Sequence, residues 1–119
     1  MTISNVNISV RKIDEFSSIL EIQGEINSYA ENVLMDAYTQ ALGNQTRSIL
    51  LNFEGLKYMN SSGIGLLVTL LIRVQLQKQR LLAYGLSEHY KQIFELTRLN
   101  EAISIFNNEG EAIAAANSN

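Results

Sequence analysis

The stretch MNSSGIGLL, Met59 to Leu67, sets two adjacent hydroxyls, Ser61 and Ser62, between Asn60 and Gly63, ahead of an apolar run. Four kinds of chemistry suit such a placement: a helix cap, a phosphate cradle, a nucleophile, or a site of covalent modification. Asn60, Ser61 or Ser62 would each cap a helix, because their side-chain oxygens accept hydrogen bonds from free first-turn N–H groups. One cap explains one such residue, so at least one hydroxyl is left over.

A phosphate cradle is poorly supported. Gly63 and Gly65 supply the first Gly-x-Gly of a dinucleotide fingerprint, but the third glycine would fall at Val68, and the Gly-Lys-Ser/Thr ending of a P-loop is missing. A serine nucleophile needs a base. The only histidine is His89, within SEHYKQ, which reads as the solvent side of a helix beside Glu88 and Lys91. The Gly-x-Ser-x-Gly pattern is also absent, so the chain is read as a non-enzyme. A modification site fits better. A phosphate on a serine at a helix N-terminus meets free N–H groups and the positive dipole end.

These residues need elements to hold them. The 119 residues predict a single domain spanning 1–119, with a polar tail from about 114. The 46% hydrophobic content is ordinary for a globular protein. A net charge of −3, with no Lys/Arg-rich run, argues against nucleic-acid binding. The chain has no cysteine, which excludes disulfides, thiolate chemistry and zinc–thiolate sites, and accords with a cytoplasmic location. MTISNVNISVRK lacks the basic-then-apolar order of a signal peptide. The longest apolar-rich run, Ile64 to Val74, is about half the ~20 residues that cross a bilayer, so no membrane insertion is expected.

Val6, Ile8 and Val10 alternate with polar neighbours as in a strand, and SSILEIQG repeats the pattern up to Gly24. SYAENVLMDAYTQALG changes to helical period, with Ser28 as the expected cap, Glu31 three residues on, and Gly43 as the expected stop. SILLNF reads as a strand covered on both faces, EGLKYMNSS as a connection, and GIGLLVTLLIRVQLQKQ as the second helix. RLLAYGL, SEHYKQIFELTRL (capped by Ser87), ISIF and NEGEAIAAANSN continue as strand, helix, strand and helix. The order predicts an α/β domain with a mixed, mostly parallel five-stranded sheet and about four helices. Two connections then leave strand ends and enter helices together: GEINS, Gly24 to Ser28, and YMNSSG, Tyr58 to Gly63. On the second helix, Ile64, Leu67, Val68 and Leu71 are expected to face the sheet and Leu66, Leu70 and Arg73 to face away. There Leu66 and Leu70 either pack under a neighbouring helix, or are singly exposed, or form an apolar contact patch beside the serines.

LNFEGLKYMNSSGIGLLVTL resembles the signature of STAS domains, in particular the bacterial anti-sigma factor antagonists. LEIQGEIN resembles the family's second strand and its Gly-Glu-Leu-Asp turn, and the stretch from Arg80 to Ile113 resembles its later strand–helix–strand–helix half. The resemblance implies a regulator without a cofactor. Its partner would be an anti-sigma factor, a serine kinase of the small ATPase type, whose capture releases a sigma factor. It implies phosphorylation of the serine directly before the glycine, Ser62, with Ser61 the second choice, reversed by a serine phosphatase. Carried into a switching scheme, the contact residues would be Gly24, Glu25, Asn27, Ser28, Asn60, Ser61, Gly63, Ile64, Leu66 and Leu70, with Gly63 admitting the partner's backbone. Two positions depart from the family pattern: Asn60 and Asn27 stand where an acidic residue is usual. The same fold also serves as a non-switching scaffold, or as an accessory subunit of transporters, and a small nucleotide-binding module is the remaining alternative.

Overall fold

A computed structural model describes residues 5–118. In it the alternation of Val6, Ile8 and Val10 becomes strand β1, Val6–Lys12. The carboxylate of Asp14 closes the turn that follows, accepting from the N–H groups of Phe16 (2.8 Å) and Ser17 (2.9 Å). Strand β2, Ser17–Ile26, then runs antiparallel to β1, with Val10 opposite Leu20 and Ile8 opposite Ile22. Strands β3 (Ser48–Met59), β4 (Arg80–Tyr84) and β5 (Ser104–Phe106) complete one sheet in the order β1-β2-β3-β4-β5. Every pair after the first is parallel. The expected mixed, mostly parallel five-stranded sheet is present.

Parallel neighbours require crossover connections, and helices supply them: α1 (Glu31–Ala41), α2 (Ser61–Leu76) and α3 (Glu88–Leu96), with α4 (Glu109–Asn117) after the last strand. One sheet face, including Leu20, Ile22, Ile49, Leu51 and Ala83, packs in the main core with Leu34, Leu67, Leu70 and Phe94 of the helices. The other face puts Ile19, Leu50, Leu82 and Tyr84 under Ala112 of α4. Consecutive residues of SILL are thus buried on opposite faces, which is why that segment shows no polar alternation.

A polar cluster fastens the start of α4 to the sheet. Arg11 of β1 bonds both Glu109 of α4 and, at 3.2 Å, Glu21 of β2, while the buried Tyr84 hydroxyl donates to Glu109 at 2.9 Å. At the far end, Arg80 donates to the carbonyls of Ala115 (3.1 Å) and Ser118 (3.3 Å). Asn108 caps the helix by accepting from the Glu111 N–H.

Four local expectations change. EGLKYM is strand rather than connection, because β3 runs on to Met59. Its pairing with β2 shifts register twice, between Glu21 and Gln23 and between Gly24 and Glu25, and such bulges destroy the two-residue alternation. Ser28 is not a cap: it begins a short 3-10 turn, Ser28–Ala30, which Asn27 caps by accepting from the Tyr29 N–H at 2.9 Å. Gly43 is not a left-handed stop. Helix α1 leaves through extended Leu42, and the Gly43 N–H donates to Thr46 Oγ1. The chain remains helical past position 114, to Asn117, because α4 packs on the second sheet face. Ser87 does cap α3, accepting from the Tyr90 N–H at 3.4 Å.

Candidate functional site

Strands β2 and β3 end side by side. Ile26 lies opposite Met59, and the Asn60 N–H donates to the Ile26 carbonyl at 3.3 Å. The residues that follow, Asn27 and Asn60, therefore leave adjacent strand ends, and each performs the same local task. Asn27 opens the 3-10 turn, and Asn60, in extended backbone, caps α2 by accepting from the Gly63 N–H at 2.9 Å. An amide oxygen serves a cap as well as a carboxylate oxygen does, so the neutral replacements leave local folding intact.

With the cap supplied by Asn60, both serines are spared. Ser61 and Ser62 are the first two residues of α2, and both are exposed. Neither hydroxyl makes a hydrogen bond to any described residue, and the N–H groups of Ser61 and Ser62 have no acceptor among those residues. Free N–H groups at a helix N-terminus favour an anion. The site therefore joins an accessible hydroxyl to a local field that accommodates a phosphate attached to it.

Gly63 is buried, and the reason for a glycine is internal. A Cβ there would stand 2.4 Å from the Ile26 carbonyl oxygen and 2.7 Å from Met59 Cγ. Glycine thus lets α2 begin directly over the end of β2. The crowding comes from the protein's own chain, which corrects the expectation that Gly63 makes room for a partner's backbone.

The contact face of α2 also differs from expectation. Leu66 and Leu70 are buried in the main core, at 8% and 0% exposure, so neither faces away from the fold or offers surface to a partner, while Val68, expected against the sheet, is exposed. Ile64 is half-buried against the main core. The apolar surface actually presented is Val68, Ile72 and Leu76, the last two 52% and 76% exposed. These residues continue at helical spacing from Ser61 and the exposed Gly65, around which an added Cβ would meet nothing within 4 Å.

Two residues near the strand ends were not anticipated. Tyr29 follows the Asn27 cap, and Tyr58 pairs with Glu25 just before Met59. Each is 55% exposed, and exposed tyrosines are among the residues that most often anchor protein contacts. The available signal was an aromatic at each strand-to-helix junction, Tyr29 just after GEINS and Tyr58 just before the serine motif. Glu25 is half-buried, Gly24 takes a positive φ of 99° with its Cβ position blocked by Asn5, and Ser28 is exposed.

His89 is exposed on α3 and stacks edge-on against Tyr90, with ring centroids 4.9 Å apart, and no hydrogen bond links it to a serine among the described residues. Among the described residues, no group of three His, Asp or Glu side chains could share a metal ion, and no helix is long and apolar enough to cross a membrane. A cleft of about 530 Å³ is lined by Asn7, Gln23, Gly55 and Lys57 among others, and neither serine borders it.

Comparison with known proteins places these features in context. Residues 7–112 match the STAS domain family model. An anti-sigma-B factor antagonist of Staphylococcus aureus is 30% identical over 109 residues, covering 92% of this chain and 98% of that protein. A putative anti-sigma factor antagonist of Thermotoga maritima has the same fold, with a TM-score of 0.80 at 17% identity over 93% of this chain and 95% of that one. The Bacillus cell fate determinant SpoIIAA, solved in its phosphorylated form, superposes with a TM-score of 0.66 at 20% identity, covering 92% of this chain and 98% of that one.

Proposed function

This chain belongs to the STAS domain family, and from that premise we propose that it is a partner-switching antagonist controlled by phosphorylation of Ser62. In the unphosphorylated state it docks an anti-sigma factor that is also a serine kinase of the small ATPase type. That kinase transfers the γ-phosphoryl group of ATP to Ser62 Oγ; the hydroxyl proton passes to a kinase base and ADP leaves. A serine phosphatase restores the hydroxyl. The cycle runs in the cytoplasm, where ATP is available, and the chain contributes an acceptor and a surface rather than catalytic groups.

The observation that carries this reading is the exposed Ser62 hydroxyl in the first turn of α2, without a hydrogen bond among the described residues and freed by the Asn60 cap. The names of the relatives support the partner class. The docking surface comprises Asn27, Ser28 and Tyr29 on one connection, Asn60 to Ser62 on the other, and Val68, Ile72 and Leu76 along α2. A phosphate adds about −1.5 to −2 charge. Within the protein it meets free N–H groups. Beneath a docked partner it loses water and repels any acidic contact. A differential affinity of about 3 kcal/mol suffices for a more than hundredfold release.

The test combines the purified protein with candidate anti-sigma factor kinases of its own organism, ATP and Mg²⁺. Mass spectrometry should find one phosphate, on Ser62. Ser62→Ala should take none yet still bind, and Ser62→Asp should bind at least about tenfold more weakly. Phosphate found only at another residue, or unchanged binding of Ser62→Asp, would overturn the reading.

A further inference from the structure

Strand β3 outruns β4. Their pairing ends with Asn52 opposite Tyr84, whereas β3 continues to Met59. The chain turns off the sheet at Gly85, where φ is 80° and a Cβ would stand 2.9 Å from the Glu54 nitrogen. Beyond Asn52, β4 no longer pairs with that edge of β3, and polar backbone groups buried there need other partners.

At Met59 a side chain takes the place of the missing strand. The hydroxyl of Tyr90, from α3, accepts a hydrogen bond from the Met59 N–H at 2.7 Å and reaches back to the Met59 carbonyl over a longer 3.5 Å. A phenol can both donate and accept, so one buried hydroxyl serves both groups as a neighbouring strand would. On the other side, the next N–H, that of Asn60, turns to Ile26 of β2. The last residue of β3 is thereby held from α3 just before the chain becomes the cap of α2. The Met59 side chain also lies close beneath Gly63.

We propose that Tyr90 is a positioning residue for the serine-bearing turn: its hydroxyl fixes the Met59 backbone, and through it the geometry in which Asn60 caps α2 and Ser62 is presented. The functional half of this inference rests on the partner-switching reading; the structural half does not. A loosened turn spends less time in the docking geometry, which weakens apparent affinity by the lost fraction without altering chemistry in the bound complex.

Tyr90→Phe keeps the ring and removes the hydroxyl. Native-state hydrogen exchange followed by NMR should show the Met59, Asn60 and Gly63 amides exchanging about tenfold faster or more. In phosphorylation by the kinase used for Ser62, at a temperature where the variant is fully folded, KM should rise several-fold with kcat unchanged. Phe94→Leu is the control. Its ring meets Phe53 edge-on at 6.3 Å, so it should lower global stability and speed those three amides no more than the rest of the core, with KM unmoved. Unchanged exchange at Met59, Asn60 and Gly63 in Tyr90→Phe, or a change no larger than that in Phe94→Leu, would overturn the positioning role. Faster exchange at these amides in a protein whose wild type takes no phosphate would support the positioning and sink the partner reading instead.

Discussion

The Cα of Gly63 lies so close to Ile26 that an added Cβ would stand 2.4 Å from the Ile26 carbonyl oxygen. This approach seats the first turn of α2 over the end of β2 and brings the serines beside the Asn27 connection. A buried glycine therefore determines where two exposed hydroxyls are displayed.

Gly63→Ala should destabilise the protein. Alanine gains about 1 kcal/mol of helix propensity over glycine, but the clash is with backbone, and overpacking of this kind costs about 1–3 kcal/mol. Since that propensity gain is available only if α2 shifts, a net loss is expected. Gly65→Ala, in open space on the same helix, should instead stabilise by about 0.5–1 kcal/mol. Urea unfolding midpoints of the two variants should move in opposite directions.

Asn60→Ala should lower stability by about 1 kcal/mol through loss of the cap to the Gly63 N–H. Asn60→Asp keeps the acceptor and adds a negative charge at the positive end of α2, worth about 0.3–1 kcal/mol at low salt. It should therefore match or exceed the wild type at neutral pH, and the difference should shrink in added salt. Thermal unfolding at two ionic strengths checks both.

Ile72 and Leu70 provide a contrast between surface and core. Leu70→Ala should cost about 2–5 kcal/mol, since Leu70 is fully buried. Ile72→Ser should change stability by no more than about 0.5 kcal/mol, yet weaken binding to the proposed anti-sigma factor partner at least about tenfold. Calorimetric titration beside chemical unfolding separates the two effects. Wild-type affinity in Ile72→Ser would remove the α2 stripe from the docking surface.

Glu109 should make stability depend on acid. The Arg11 side chain, and then the Tyr84 hydroxyl, hydrogen-bond its carboxylate and hold its pKa below the ordinary 4.5. A carboxylate with a lowered folded-state pKa stabilises the fold above its unfolded value, and that contribution is lost as pH falls through the folded value. Glu109→Gln should be less stable than the wild type at neutral pH, with the gap closing as pH is lowered below 4.5. Unfolding midpoints taken across that range give the curve. A gap that stays constant would mean that the cluster acts through packing alone.

Much of this was legible in the chain. Alternation at Val6, Ile8 and Val10, the run SILL, and the punctuation at Asn60 and Ser87 were enough to place the strands and helices in order. The end of β3 was not legible, because Glu54, Gly55 and Lys57 interrupt the apolar pattern and the bulged pairing hides the two-residue period. The exposed face of α2 was not legible either. Apolar residues surround that helix, and a periodicity argument cannot choose between stripes when nearly every face is hydrophobic.

The sequence alone determined that Asn60, Ser61 and Ser62 supply a helix cap with at least one hydroxyl to spare and that an apolar helix follows, because capping and helical period are local properties of neighbouring residues. The tertiary structure decided which side of that helix is exposed, why Gly63 must lack a side chain, and that Tyr90 completes an edge left open by β4. Each of those facts depends on a distance between residues far apart in the chain, set by how helices and strands of unequal length pack together.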